Sequence, residues 1–286
     1  MSSDRFAGDW LVSEYVYNPD GSFAGIVRQR RSLHPLPEGG LRVTQVCEPG
    51  PELVNHPMGE FKGEWVFDLA LEGRARRYRG PAVLGTGLQW IEGMMTGRGL
   101  WPDFGHNFTS FAALIAPDRQ ITGGKFFNAG EMIANIVGVG VPEALNDQYP
   151  AFSGADWPGE TSARWTGSVS GMSVGGKLVR ESPLIRTYRQ GMEGWEDQRS
   201  ESERPDEAVI LTASRGAHKV SGSLRGMGKQ YGPQFEMDLV LGPSVIMETM
   251  ALLDSATGHL VEIRRRLFDQ VLAGVEILRL RPEGTG

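Results

Sequence analysis

The feature that most constrains this chain is a two-residue rhythm. In FEMDLVL (235–241), Phe235, Met237, Leu239 and Leu241 fall on one side of an extended backbone, and Glu236, Asp238 and Val240 on the other. Successive side chains of a strand point to opposite faces, so this alternation predicts a strand with one buried face. The same pattern recurs in DWLVSEYVY (9–17), FAGIVRQRR (23–31), LRVTQVC (41–47), GEWVFDLAL (63–71), LQWIEGMM (88–95), NFTSFAALI (107–115), ITGGKFF (121–127) and MIANIVGV (132–139). It continues in WTGSVSGM (165–172), LIRTY (184–188), AVILTAS (208–214), KVSGSLRG (219–226), VIMETMALLD (245–254) and HLVEIRRRLF (259–268). AGEMIANIV and FDQVLAGVEI are long enough for short helices, but their β-branched content favours strands. NPDGS, PEGG, APDR and SATGH between the segments are hairpin signals. About sixteen short strands at this spacing predict an all-β sandwich or barrel.

Two matches point to an internal duplication. FGHNF (104–108) is echoed by YGPQF (231–235), and FNAGEMIANIVGVGVPE (127–143) by FDQVLAGVEILRLRPE (268–283). The offsets differ by roughly the length of one hairpin. Residues 144–160, ALNDQYPAFSGADWPGE, are rich in Pro, Gly and Asp and read as the junction. The expected halves are 1–147 and 158–286. Sheets of this size must hide their edges, and closure removes them. An antiparallel barrel of about eight strands has an interior wide enough for one small ligand.

Composition narrows the function. The single cysteine, Cys47, excludes an intrachain disulfide and a thiolate metal cluster, and a reducing, cytoplasmic setting is expected. MSSDRFAGDW has no basic segment followed by an apolar one, so no signal peptide is expected. No apolar run is long enough for a membrane span. The net charge of −6 disfavours nucleic acid. No HxH or HxxxH, GxSxG elbow, P-loop or dinucleotide-binding GxGxxG is present, so neither a metal nor a cofactor is expected. A homodimer is an assembly open to such a chain.

RFAGDW (5–10) resembles the opening motif of the lipocalins, in which Phe, Gly and Trp begin the first strand and the Trp closes the barrel floor. FKGEW (61–65) repeats the Phe-x-Gly-x-Trp spacing. The resemblance implies an antiparallel calycin-type β-barrel, duplicated here. Bacterial proteins of carotenoid hydratase type have that tandem shape.

GRGLWPDFGHNF (97–108) concentrates the candidate chemistry. Period two places His106 on one face with Phe108 and Ser110, pointing into a barrel near its mouth. An imidazole there has the right proton affinity for acid–base work; the plainer reading is a loop histidine bonded to backbone. Glu92, read on a face with Leu88, Trp90 and Met94, is a candidate proton donor or partner of His106, or else an exposed strand residue. Asp103, three residues before His106, could orient it, or simply bond its own turn. Trp90, Trp101, Phe104 and Phe108 are candidates for an aromatic wall around a flat apolar ligand, or for plain core. Tyr78 and Tyr188 are candidate hydrogen-bond donors to a ligand, or wall residues with solvated hydroxyls. The arginines of RARRYR (74–79) and EIRRRLF (262–268) read as a solvated, salt-bridged exterior, with an anionic head-group site as the alternative.

The expected function is capture of a small, largely apolar organic molecule. Cofactor-free acid–base conversion fits such a hollow: isomerisation, cyclisation, hydration or dehydration. A non-catalytic carrier is the alternative of a different class, and a cavity-free interaction module a third.

Overall fold

The computed structural model describes residues 5–151, 163–192, 194–202, 204–214 and 217–283. The junction read at 144–160 therefore lies partly outside the described residues. The chain forms two compact units, Met1–Phe152 and Ser153–Gly286.

The first contains β1 (Gly8–Tyr17), β2 (Phe23–Pro35), β3 (Leu41–Pro49), β4 (Gly63–Glu72), β5 (Ala75–Arg79), β6 (Leu84–Ile91), β7 (Met94–Trp101), β8 (His106–Ala116), β9 (Arg119–Asn128) and β10 (Glu131–Pro142). The second contains β11 (Ala163–Met172), β12 (Leu178–Gln190), β13 (Trp195–Glu201), β14 (Glu207–Ser214), β15 (Ala217–Gly222), β16 (Arg225–Tyr231), β17 (Gln234–Gly242), β18 (Val245–Leu253), β19 (Leu260–Phe268) and β20 (Val271–Pro282). In each unit every strand pairs antiparallel with its sequence neighbour, and the last pairs with the first, so both sheets close. The expected all-β, duplicated antiparallel barrel is the architecture observed.

Among the described residues each barrel has ten strands rather than about eight, twenty in all rather than about sixteen. LQWIEGMM holds the end of β6, a turn at Glu92–Gly93 and the start of β7. KVSGSLRG likewise spans β15, a turn and β16. In the first of these, Ile91 and Met94 on either side of the tight turn masked the reversal. β5 and β13 are dense in charge and gave no apolar alternation, yet both are strands.

The closing strands β10 and β20 occupy equivalent places, as the second sequence match expected. Both are entered through a tight turn with two left-handed residues, Ala129 and Gly130 in one and Asp269 and Gln270 in the other; these are the hairpin turns that match strand twist. The first match is coincidental. FGHNF enters β8, third from the end of its barrel, whereas YGPQF enters β17, fourth from the end of its own. Neighbouring strands run in opposite directions, so these two cannot correspond.

The two Phe-x-Gly-x-Trp stretches share one local geometry. Gly8 and Gly63 adopt φ of +129° and +133°, a region that favours glycine. That turn lets the Trp10 indole donate to the Phe6 carbonyl at 3.1 Å, and the Trp65 indole to the Phe61 carbonyl at 3.1 Å. One device anchors the entry to β1 and the entry to β4.

Candidate functional site: the interior of the first barrel

Cross-strand register assigns the inner face. Phe108, Ser110 and Ala112 of β8 sit opposite Gly99, Gly97 and Met95 of β7 and opposite Phe126, Gly124 and Thr122 of β9. The Tyr78 hydroxyl and the Phe108 ring cover Gly97 and Gly99, while Gly124 lines a cavity of about 160 Å³. That is the scale of a pocket holding one benzene ring. Val27, Leu33, Val43, Phe67 and Ile136 supply apolar wall.

One side of the wall is polar. Glu14 of β1 points inward, and its carboxylate accepts from Gln29 Nε2 at 2.7 Å and from Arg31 Nη2 at 3.1 Å. The same Arg31 nitrogen donates to Gln29 Oε1 at 2.6 Å. Gln45 of β3 continues the row. Burial raises the Glu14 pKa above the ordinary value, and the Arg31 guanidinium offsets only part of that rise. Gln120 Nε2 and Thr122 Oγ1 also face the cavity, and both are buried without a hydrogen-bond partner among the described residues. Arg76, on the inner face of β5, donates to Gln89. Tyr78 lies two residues on; burial raises its pKa, with a hydrogen bond to Ser110 and the charges of Arg76 and Arg31 pulling the other way. Cys47 also lines the wall, but burial pushes its thiol up to about 12, so it is not a ready nucleophile.

The end of the barrel where β8 begins is packed with rings. The chain between β3 and β4 crosses it and buries Leu53, Met58 and Phe61. Phe61 meets Phe104 at 4.3 Å, Phe126 at 5.2 Å and Trp101 at 5.3 Å between ring centroids. Such pairs add about 0.5–1.5 kcal/mol each beyond burial. His106 belongs to this plug. It is buried, 6.1 Å from the rings of both Phe61 and Phe104. It points inward, but Phe61, Trp101 and Phe108 form the cavity wall and His106 does not. Neither imidazole nitrogen has a hydrogen-bond partner among the described residues.

The other sequence candidates separate. Glu92 is in the β6–β7 turn, 62% exposed, and pairs with Arg5 at 2.7 Å; the reversal after Ile91 removes it from the face it was assigned. Asp103 is exposed in the 3-10 turn Pro102–Phe104, and His106 donates no bond to it. The structure therefore does not bring His106, Glu92 and Asp103 together. Trp90 is buried on the other face of β6, where its indole donates to Thr96 Oγ1 at 2.8 Å. Trp101 and Phe108 line the cavity; Phe104 packs behind it. Tyr78 lines the cavity, with its hydroxyl out of water. Tyr188 lies in the second barrel, buried and stacked on Trp195 at 4.8 Å.

The interior carboxylate and guanidinium, Glu14 and Arg31, were not singled out by sequence. Their alternation was available: Glu14 shares a parity with Val12 and Val16, and Arg31 with Val27 and Leu33. The arginine-rich stretches also divide by parity. Arg77 and Arg79 are exposed and pair with Glu72, as a solvated exterior requires, whereas Arg76 is buried. In EIRRRLF, Glu262 and Arg264 are buried inside the second barrel and Arg265 is outside. The exterior reading is corrected for Arg76 and Arg264: a closed barrel takes every second residue inward, charged or not.

No family model matches the chain, and no curated protein matches it in sequence. A solved structure does: a protein of unknown function from the DUF3598 family of Nostoc punctiforme, 12% identical, with a TM-score of 0.65 over 99% of this chain and 100% of that one. It shows the same fold along the whole length. Kievitone hydratase from Nectria haematococca (8% identity, 98% of this chain and 90% of that one) and CghA (8%, 97% and 88%) each align with a TM-score of 0.21.

Proposed function

We propose that the first barrel binds a small, largely apolar organic molecule carrying an oxygen function. The observation that carries this reading is a cavity with apolar and aromatic walls into which Gln120 and Thr122 turn unsatisfied polar atoms. A buried donor without an acceptor costs about 1–3 kcal/mol, and a ligand hydroxyl or carbonyl would remove that cost. Titration of the purified protein with phenol and cyclohexanol tests it. Saturable binding that is lost in Ala112→Phe, which fills the cavity, is the expected result. Binding that persists in Ala112→Phe places the ligand elsewhere and ends the reading.

The finer reading is conversion of that ligand by acid–base chemistry without a cofactor, by isomerisation, cyclisation or hydration and dehydration. Glu14 replaces His106 as the group best placed for it, because it lines the cavity beside Arg31 and burial raises its pKa above the ordinary carboxylate value. Arg31 and Gln29 would hold the carboxyl in position. His106, Glu92 and Asp103 would then lie outside the chemistry. The carrier reading draws on the same Arg31 pair, which favours a fixed carboxylate. Glu14→Gln separates the two: a catalyst loses turnover while ligand affinity stays within about tenfold, and a carrier returns its ligand unchanged by mass spectrometry.

A further inference from the structure

The second barrel has a cavity of its own, of about 320 Å³, at the end where β19 turns into β20. Its wall contains the four arginines Arg180, Arg204, Arg264 and Arg266, but a single acid, Glu276. Three further acids that are not part of this wall, Glu201, Glu207 and Glu262, pair with Arg180 and Arg264, which leaves Arg266 as the cation without one among the described residues. Glu276 is already held as a carboxylate is held: its Oε1 accepts from Arg180 at 2.9 Å and from Arg204 at 3.0 Å. Two guanidiniums retain unused capacity. Arg264 donates from Nε to Glu262 at 2.7 Å, but its buried Nη2, although 3.1 Å from Glu207, makes no hydrogen bond to any described residue. Arg266 stands two residues further along the same inner face, exposed, with no ion pair among the described residues. Gly171 and Gly274 leave room beside them, and Met172, Val179, Met247 and Val275 make the rest of the wall apolar.

We infer that this cavity binds a small organic carboxylate, its head group between Arg264 and Arg266 and its apolar body against the methionines and valines. Planar guanidinium forks match a carboxylate in shape as well as charge. Arg266 gains a counter-ion that no described side chain supplies, and the apolar wall gains a partner that inorganic anions lack. The site is separate from the hollow of the first barrel and does not depend on what that hollow holds.

Calorimetric titration of the full chain with octanoate tests the inference, with octanol and inorganic phosphate as controls. Octanoate is expected to bind saturably and the two controls not to. Arg266→Gln, at an exposed position that leaves the buried network intact, is expected to weaken octanoate by about tenfold or more, while Ala112→Phe in the first barrel leaves it unchanged. The inference is overturned by absence of saturable octanoate binding, by equal binding of octanol or phosphate, or by an Arg266→Gln protein that binds as the parent does. Loss in Ala112→Phe instead of Arg266→Gln would assign octanoate to the first barrel and overturn it equally.

Discussion

The two barrels share strand count, pairing order and closure, yet they fill their interiors in opposite ways. The first packs one end with aromatic rings and keeps a largely buried ion pair, Glu14–Arg31, beside a small hollow. The second threads charge through its middle. Arg186 there is fully buried, paired with Asp197 at 2.8 Å and with Glu262 at 2.7 Å, and Arg199 joins the same two acids. A ten-strand closed sheet therefore accommodates either kind of inner parity, provided its buried charges find partners. An aromatic interior gains free energy from burial and leaves gaps where rings do not tile. An ionic interior gains little net stability, because desolvation cancels most of the attraction, but its geometry is specific.

That contrast can be broken most sharply at Arg186. Arg186→Leu leaves Asp197 and Glu262, both fully buried, with Arg199 as their one shared cation and should destabilise the second barrel by about 3–5 kcal/mol. Calorimetry should show its transition move while that of the first barrel stays. An unmoved second transition would mean that the network contributes nothing to that fold.

Acid should sharpen the difference. Burial would raise the Asp197 pKa, but the charges of Arg186 and Arg199 outweigh it and hold the carboxyl below its usual 3.8. A carboxyl depressed on folding contributes stability that is fully present above the unfolded value and lost as pH falls through the folded one. The stability gap between the parent and Asp197→Asn should therefore narrow as urea unfolding is repeated below about pH 4. Glu14 has the opposite sign: its raised pKa means the folded chain holds that proton more tightly, so acidification favours the first barrel at this position. Glu207, also raised by burial, behaves like Glu14 and will blunt the acid effect in the second barrel without reversing the Asp197 difference.

Smaller effects belong to the local anchors. Trp65→Phe removes the indole bond to the Phe61 carbonyl and should cost about 1 kcal/mol, read as a shift of the first transition alone. Glu92→Gln removes an exposed ion pair with Arg5 and should change stability by less than about 0.5 kcal/mol, with phenol affinity unaltered. A large loss of binding in Glu92→Gln would restore Glu92 to the site and contradict its place in the turn.

How much of this was legible in the sequence varies by segment. FEMDLVL disclosed its strand and inner face because Phe235, Met237 and Leu239 recur every second residue, with Glu236 and Asp238 between them. Trp101 and Phe108, read as an aromatic wall or plain core, and Tyr78, read as a ligand donor or wall residue, all line the cavity. LQWIEGMM hid a hairpin because the residues on both sides of its turn are apolar, and the error carried Glu92 to the wrong place. Glu14, Arg31 and Arg264 were passed over because a lone charge in a strand ordinarily faces water; only its partner, many residues away, makes an inward position tolerable.

Period two, the turn residues and the Phe-x-Gly-x-Trp anchors by themselves determined that this chain forms paired antiparallel strands and which side chains share a face, since both follow from local backbone geometry. Tertiary structure alone decided which charges meet, where aromatic packing leaves a hollow, and that His106 sits behind the wall instead of in it. Those outcomes depend on closure, which brings Glu14 of one strand and Arg31 of the next to the same interior and carries Glu262 across to Arg186, through distances that no local pattern encodes.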